Sequence, residues 1–360
     1  MRIKTVTFHG AHNYGAVLQA YALQQTLISL GYDNEIIDCR VDQESVFQSV
    51  KVSVARDNIA KIRNNLFRVL RYRAYKDRFD KFEKFINEDL SLTKRFHSFE
   101  ELKRFPPEAE VYLAGSDQIW NTSRIVREMF FLRFGDSDIK RISYAASMGT
   151  YVIPPENQKL FGEFIRSFDK ISVREKEASD YIESNYGIAS LVHVDPVFLL
   201  KKAAWEEVSV ECNINRKYIL CYPLIFSSEL NDYLRRLKHE TGYHVVVVTT
   251  NPREKTQGDI YVRNAGPKQF LGLIRNAEII VTTSFHGTAF SIVFEKQFIA
   301  FPVFNSTRIT NILSLLGLKN RVFGNGDGIS LEAIDYVEVN KKLDLERQRS
   351  LDFLKRAIEE

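Results

Sequence analysis

The sequence predicts an α/β protein of two domains, each built on a mainly parallel sheet. Three observations lead there. The chain has 360 residues, and single domains usually run to about 100–200. Short apolar, β-branched runs alternate with helix-period segments along almost its whole length, which is the pattern of βαβ units. A charged stretch from Lys201 to Lys217 interrupts the alternation, which then begins again.

Ile3 to Phe8 reads as the first strand, and Ala16 to Leu30 as the helix after it, stopped by Gly31. Glu35 to Asp38 is the next strand. A helical stretch from about Ile59 to Ile86 then breaks the pattern, rich in Arg, Lys, Phe and Tyr, as in Arg68-Val69-Leu70-Arg71-Tyr72-Arg73. It reads as part of an insertion over about 56–105 in the first domain, with one apolar and one basic face. That basic face is either simply solvated or a surface for anionic lipid or a lipid-linked pyrophosphate. Strands resume at Val111 to Ala114 and Arg141 to Ala145. Helix, strand and helix follow between Pro155 and Tyr186, with Ile171 to Val173 as the strand, and Leu191 to Val194 ends at Asp195-Pro196.

The linker falls at or just before Lys201–Lys217, giving domains of 1–200 and 201–340. In the second, Tyr218–Tyr222, Val245–Val248, Ile260–Val262, Ile279–Val281 and Phe298–Phe301 read as strands with helices between them. Residues 341–360 form a charged amphipathic helix expected to pack back on the first domain. Two such domains facing each other would place a cleft at the carboxyl ends of both sheets, where α/β folds take ligands.

A formal charge of +4, with 44% hydrophobic and 27% charged residues, is ordinary for a soluble globular chain. It carries no nucleic-acid signature and suits an anionic small substrate. Cys39, Cys212 and Cys221 form no C-x-x-C pair, and their odd number argues for buried thiols in a reducing compartment. Met1 to Val6 runs straight into a strand without a signal-peptide core, and no segment approaches ~20 apolar residues. A cytoplasmic protein is expected, with the inner face of the membrane as an alternative station. The spacings of zinc sites, P-loops, G-x-S-x-G elbows and G-x-G-x-x-G fingerprints are all missing, so no metal and no cofactor is expected.

Five segments gather polar groups where a strand gives way to a loop or helix. His12-Asn13-Tyr14-Gly15-Ala16 opens the first helix; its amides suit anions and carbonyl groups, with Gly15 allowing close approach, or Asn13 is simply a cap. Ala114-Gly115-Ser116-Asp117-Gln118 presents a hydroxyl, a carboxylate and amides together, fit for polyol binding or general-base work, or for capping. Arg174, after Ser172-Val173, can fork a carboxylate or phosphate with Glu175 orienting it, or form an ordinary surface ion pair. Thr282-Thr283-Ser284-Phe285-His286-Gly287 offers a histidine at a helix start, suited to acid–base work near neutral pH. Asn305-Ser306-Thr307-Arg308 follows the last strand with Arg308 as an anion clamp, and Lys268 opens a helix after Gly266-Pro267.

Taken in order, these segments resemble the polysaccharide pyruvyltransferase family. The carriers are Asn13-Tyr14-Gly15-Ala16-Val17-Leu18-Gln19-Ala20-Tyr21-Ala22-Leu23, Ile36-Ile37-Asp38-Cys39-Arg40, Ala114 to Asn121, Tyr144-Ala145-Ala146-Ser147, Ser172-Val173-Arg174-Glu175, Asp195-Pro196-Val197 and Thr283 to Phe290. The resemblance implies two Rossmann-like domains of the GT-B kind, and ketal formation with phosphoenolpyruvate as donor and, as acceptor, a sugar of a cell-surface polysaccharide or of its lipid-linked precursor. It implies His286 as the family's histidine, Arg174 on the donor and, less directly, Asp117 as the nearby acid. Relatives often carry Arg-Leu just before that histidine, whereas this chain has Ser284-Phe285. Either Arg308, Arg40 or Lys268 then supplies the missing charge, or the donor is held differently. A nucleotide-sugar glycosyltransferase on the same fold is the rival expectation, since fold alone does not separate the two. A noncatalytic protein of this fold is the third.

Overall fold

The computed structural model describes residues 1–40, 58–123, 126–149, 153–251, 254–302, 307–324 and 332–360, with the side chains of residues 58–71 left undescribed. The described chain forms two compact units. One holds 1–40, 86–200 and 336–360, and the other holds 58–85 and 201–335.

In the first unit, β1 (Arg2–Val6) leads into α1 (Tyr14–Ser29), then β2 (Asp33–Ile36). Asn13 caps α1, its Oδ1 accepting from the amide of Ala16 at 3.3 Å, and Gly31 takes a left-handed φ of +89° just beyond its end. The unit continues through α3 (Phe99–Arg104), β3 (Val111–Ala114), β4 (Lys140–Ser143), α4 (Pro155–Ile165), β5 (Ser172–Val173), α5 (Lys176–Tyr186) and β6 (Leu191–Val192). Strands β2-β1-β3-β4 form one parallel sheet, and single bridges Ile142↔Lys170 and Ala146↔Val173 carry it on to the parallel pair β5-β6. Parallel strands need both faces covered. One such layer is unusually aromatic: Trp120 stacks on Phe131 at 5.6 Å and meets Phe161 and Phe168 edge-on.

The last helix, α11 (Tyr336–Glu359), belongs to this unit. Phe353 lies 4.5 Å from the ring of His193, and Arg347 donates to the carbonyl of Phe198 at 2.8 Å. It begins five residues earlier than the charge pattern suggests.

The second unit holds α6 (Lys202–Val208), β7 (Tyr218–Tyr222), α7 (Ser228–Thr241), β8 (His244–Val248), β9 (Ile260–Val262), α8 (Pro267–Asn276), β10 (Ile279–Thr282), α9 (Phe285–Val293), β11 (Gln297–Ala300) and α10 (Thr307–Leu316). Its sheet is parallel throughout, in the order β11-β10-β7-β8-β9. Because every strand runs the same way, the loops after β7, β8, β10 and β11 open at one edge, together with the starts of α7, α8, α9 and α10.

Two expectations change. The long helix α2 (Asn58–Glu88) was expected with the first domain, but its residues 58–85 go with the second unit. The reason is specific bonding: Tyr75 donates to the carbonyl of Thr250 at 2.6 Å, Lys81 to the carbonyl of Asn264 at 3.0 Å, and Asn264 to Asp77 at 2.6 Å. The stretch read as a linker is packed structure. Trp205 of α6 is fully buried and meets Phe290 edge-on at 5.0 Å.

Candidate functional site

The carboxyl edge of the first sheet carries a buried charge cluster assembled from four neighbouring strand ends. Arg174, just beyond β5, donates from Nη1 to Asp195, just beyond β6, and from Nε to Glu175 Oε1 at 3.2 Å. Ser116, beyond β3, donates to Asp195 Oδ2 at 3.3 Å, and the amide of Val197 donates to Asp195 Oδ1 at 3.1 Å. Ser147, beyond β4, donates to Glu175 Oε1 at 2.5 Å. Burial by itself would lower the pKa of Arg174, but the carboxylates of Glu175, Asp195 and Asp117 outweigh it and raise it. Arg174, expected either to fork a carboxylate or phosphate or to form a surface ion pair, is instead a buried side chain held by carboxylates of the protein itself. The difference comes from Asp195, whose strand end lies beside that of β5 in the sheet.

Asp117 is half-buried in this cluster, with a left-handed φ of 69°, and its Oδ1 accepts from the amide of Gln118 at 2.9 Å. Three carboxylates thus face one guanidinium. Such a site offers acceptors for hydroxyl groups and favours a neutral polyol over an anion. Asn13 and Gly15 open α1 at the same sheet edge; Asn13 is exposed and is the helix cap, while Gly15 is buried in the first turn. Thr7 ties the two loops, donating to the carbonyl of Ser116 at 3.1 Å.

In the second unit, β10 runs into the first turn of α9. Ser284 is the cap, accepting from the amide of Gly287 at 3.3 Å. Thr282 accepts from the amide of Ser284 at 3.0 Å and donates to the carbonyl of Tyr222 at 2.9 Å. A Cβ at Gly287 would collide with Thr282 Oγ1, so only glycine lets the helix start this close to its strand. His286 is buried in this turn with Phe285 edge-on at 5.1 Å. A ligand at this turn would meet hydroxyls, an imidazole and the positive end of the α9 dipole. Lys268 and Arg308 each lie second in their helices, α8 and α10, and both helices pack on α9. Topology brings these three helix starts to one edge. Asn305 and Ser306 lie outside the described residues.

A second buried cluster was not singled out from sequence as a site. His9 Nε2 lies 3.1 Å from Asp38 Oδ1, and Arg40 Nε donates to the same oxygen at 2.7 Å. Burial would raise the Asp38 pKa, but the hydrogen bonds from His9 and Arg40 outweigh it and hold it at about 2. The available signal was position alone: His9 and Asp38 each lie just beyond a strand. Arg40 is thus engaged by Asp38. Among the described residues, no group of His, Cys, Asp and Glu is arranged to hold a metal ion.

A family model described as polysaccharide pyruvyl transferase matches residues 13–304. No curated protein matches the chain. Among solved structures, an alpha-glucosyltransferase (AGT) in complex with UDP aligns with 98% of this chain and 95% of its own at 8% identity, with a TM-score of 0.52. UDP-N-acetylglucosamine 2-epimerase from Rickettsia bellii aligns with 99% of this chain and 98% of its own at 12% identity, with a TM-score of 0.50. These likenesses show the fold alone, which is of the GT-B type.

Proposed function

Because the chain belongs to the polysaccharide pyruvyl transferase family, we propose that it forms a pyruvate ketal on a sugar, with phosphoenolpyruvate as the donor. The acceptor in this reading is a saccharide of a cell-surface polysaccharide or of its lipid-linked precursor. The observation that carries it is the first turn of α9, where His286, the cap Ser284 and Gly287 meet at a strand end. The donor carries a carboxylate and a phosphate, and the positive end of a helix dipole favours such groups. Lys268 and Arg308 add cations at two further helix starts on the same edge.

The chemistry assigns a proton to the methylene carbon of the donor and the attack of one sugar hydroxyl to its central carbon. Phosphate leaves with its C–O bonding pair, and a second hydroxyl of the same sugar takes its place. Two hydroxyl protons are released; one balances the new methyl group and the other departs with phosphate. His286 is the general acid that protonates the methylene carbon, and Asp117 accepts the hydroxyl protons. Ser116 and the start of α1, with Asn13 and Gly15, bind acceptor hydroxyls. Arg174 acts through Asp195 and Glu175, fixing the carboxylates beside Asp117, and the cations of the second unit replace it as the donor's anchor.

Thermal unfolding with phosphoenolpyruvate tests the reading, because a ligand of the folded state alone must raise the midpoint. The expected result is a rise in wild type that is lost in a Ser284→Ala/His286→Ala double variant. A rise with a UDP-sugar and none with phosphoenolpyruvate would sink the proposal.

A further inference from the structure

Among the described residues, one run of three consecutive large apolar side chains stands exposed. Leu224, Ile225 and Phe226 are 55%, 39% and 44% accessible. They form the loop between β7 and the cap of α7, Ser227. The loop is held in place: the amide of Leu224 donates to Thr283 Oγ1 at 2.8 Å, which seats it beside the β10–α9 turn. Leaving such side chains in water forfeits burial energy, and a contiguous exposed apolar group marks an interaction surface.

The surroundings say what kind. Lys255, exposed on the loop after β8, places its amino group 5.7 Å from the centre of the Phe226 ring. The same loop carries Thr250, whose carbonyl accepts from Tyr75 of α2. From residue 58 to Tyr75 that helix has five basic residues (Lys61, Arg63, Arg68, Arg71 and Arg73) and no acidic one. At 1.5 Å per residue this basic stretch is about 26 Å long. Tyr72 and Arg73 at its end are exposed. Apolar side chains beside lysine and an extended basic helix are the composition that seats a protein on an anionic bilayer, the first entering the acyl boundary and the second pairing with headgroups.

We propose that Leu224-Ile225-Phe226, Lys255 and the exposed Tyr72-Arg73 of α2 form a peripheral contact with an anionic lipid bilayer. It sits at the same sheet edge as the His286 turn, so a membrane-borne acceptor would arrive where the second unit opens. The inference does not rest on the donor chemistry and is tested without it. The full chain is sedimented with vesicles of phosphatidylcholine and phosphatidylglycerol in equal parts, and with phosphatidylcholine alone.

Wild type is expected to pellet with the anionic vesicles and to be released by salt. The Leu224→Ser/Ile225→Ser/Phe226→Ser variant, checked for an unchanged melting curve, is expected to lose partitioning on the order of tenfold or more. Replacing Arg73 and Lys255 by Gln should weaken it several-fold, at about 1 kcal/mol per basic residue. Equal binding to the neutral vesicles, or full binding by the apolar variant, would overturn the proposal. So would self-association that the apolar variant abolishes in a chain that does not bind vesicles, since a second copy would then be the occupant.

Discussion

Arg174→Ala should cost the first unit a large part of its stability. The side chain is 4% exposed, and its partners Glu175 and Asp195 are 1% and 0% exposed. Removing the guanidinium leaves two buried carboxylates facing Asp117 without their cation, and breaking a buried pair this way costs ~3–5 kcal/mol. Asp195 keeps two donors, Ser116 Oγ and the amide of Val197, and Glu175 keeps Ser147. Those residual bonds place the expected loss near the lower end, about 3 kcal/mol, which for a unit of this size is on the order of 6–12 °C in the midpoint. Urea unfolding of Arg174→Ala, Asp195→Asn and the double variant separates charge from packing. The double variant should recover ~1 kcal/mol or more relative to the sum of the singles, because the neutral amide no longer needs the guanidinium. A single-variant loss below about 1 kcal/mol, or strict additivity, would refute the view that Arg174 compensates buried charge. The same result would return it to the donor as an open clamp.

The remaining expectations follow from single features. His286→Ala should abolish pyruvyl transfer and leave the melting curve within a few degrees of wild type; near-normal turnover would remove the histidine from the chemistry. Burial holds the pKa of His193 at about 4 against an ordinary 6.5, so the unfolded chain takes a proton that the folded one refuses. The stability tied to it is intact above pH 6.5 and is lost as pH falls toward 4, by up to ~3 kcal/mol, and His193→Asn should flatten that limb of the pH–stability curve. Asp38, at about 2 against 3.8, adds a further loss of about 2 kcal/mol as pH falls from 3.8 through 2, which Asp38→Asn should remove. Gly272→Ala would drive its Cβ into the carbonyl of Val210, costing ~1–3 kcal/mol, read by urea unfolding. Asp117→Gly should raise the urea midpoint by relieving its left-handed backbone while removing the proposed base.

Strands were the most legible part of the molecule. Val111–Ala114, Tyr218–Tyr222 and Ile260–Val262 have the bounds the sequence suggests, because short apolar runs between polar loops have few other ways to fold. The site segments were legible for the same reason, since in a parallel sheet whatever follows a strand stands at the ligand edge. Pairing was not legible. Arg174 and Asp195 are 21 residues apart, and they meet because Val173 pairs with Val192 in the sheet. His9 and Asp38 are 29 apart and meet across the ends of β1 and β2. Helix periodicity announced α2 but not its partner, because an apolar face does not say which surface will cover it.

The backbone of the first unit's ligand edge is itself informative. Asp117 and Ala145, at the ends of adjacent strands, have φ of 69° and 47°, a region that costs a non-glycine residue of order 1–3 kcal/mol. The sheet continues past both. Ser147 donates its amide to the carbonyl of Asp117 at 2.9 Å, Ala146 to the carbonyl of Ser172 at 3.1 Å, and Arg174 to the carbonyl of Ala146 at 3.2 Å. Ladder bonds on both sides of each strained residue therefore over-determine its conformation. Glycine at either position would remove the strain without losing those bonds. A sequence that keeps Asp at 117 instead retains a carboxylate beside the Arg174 cluster at an energetic cost. Part of that cost is offset locally, since the carboxylate accepts from the amide of Gln118 at 2.9 Å, and its second oxygen is the one the proposed function assigns to acceptor hydroxyls.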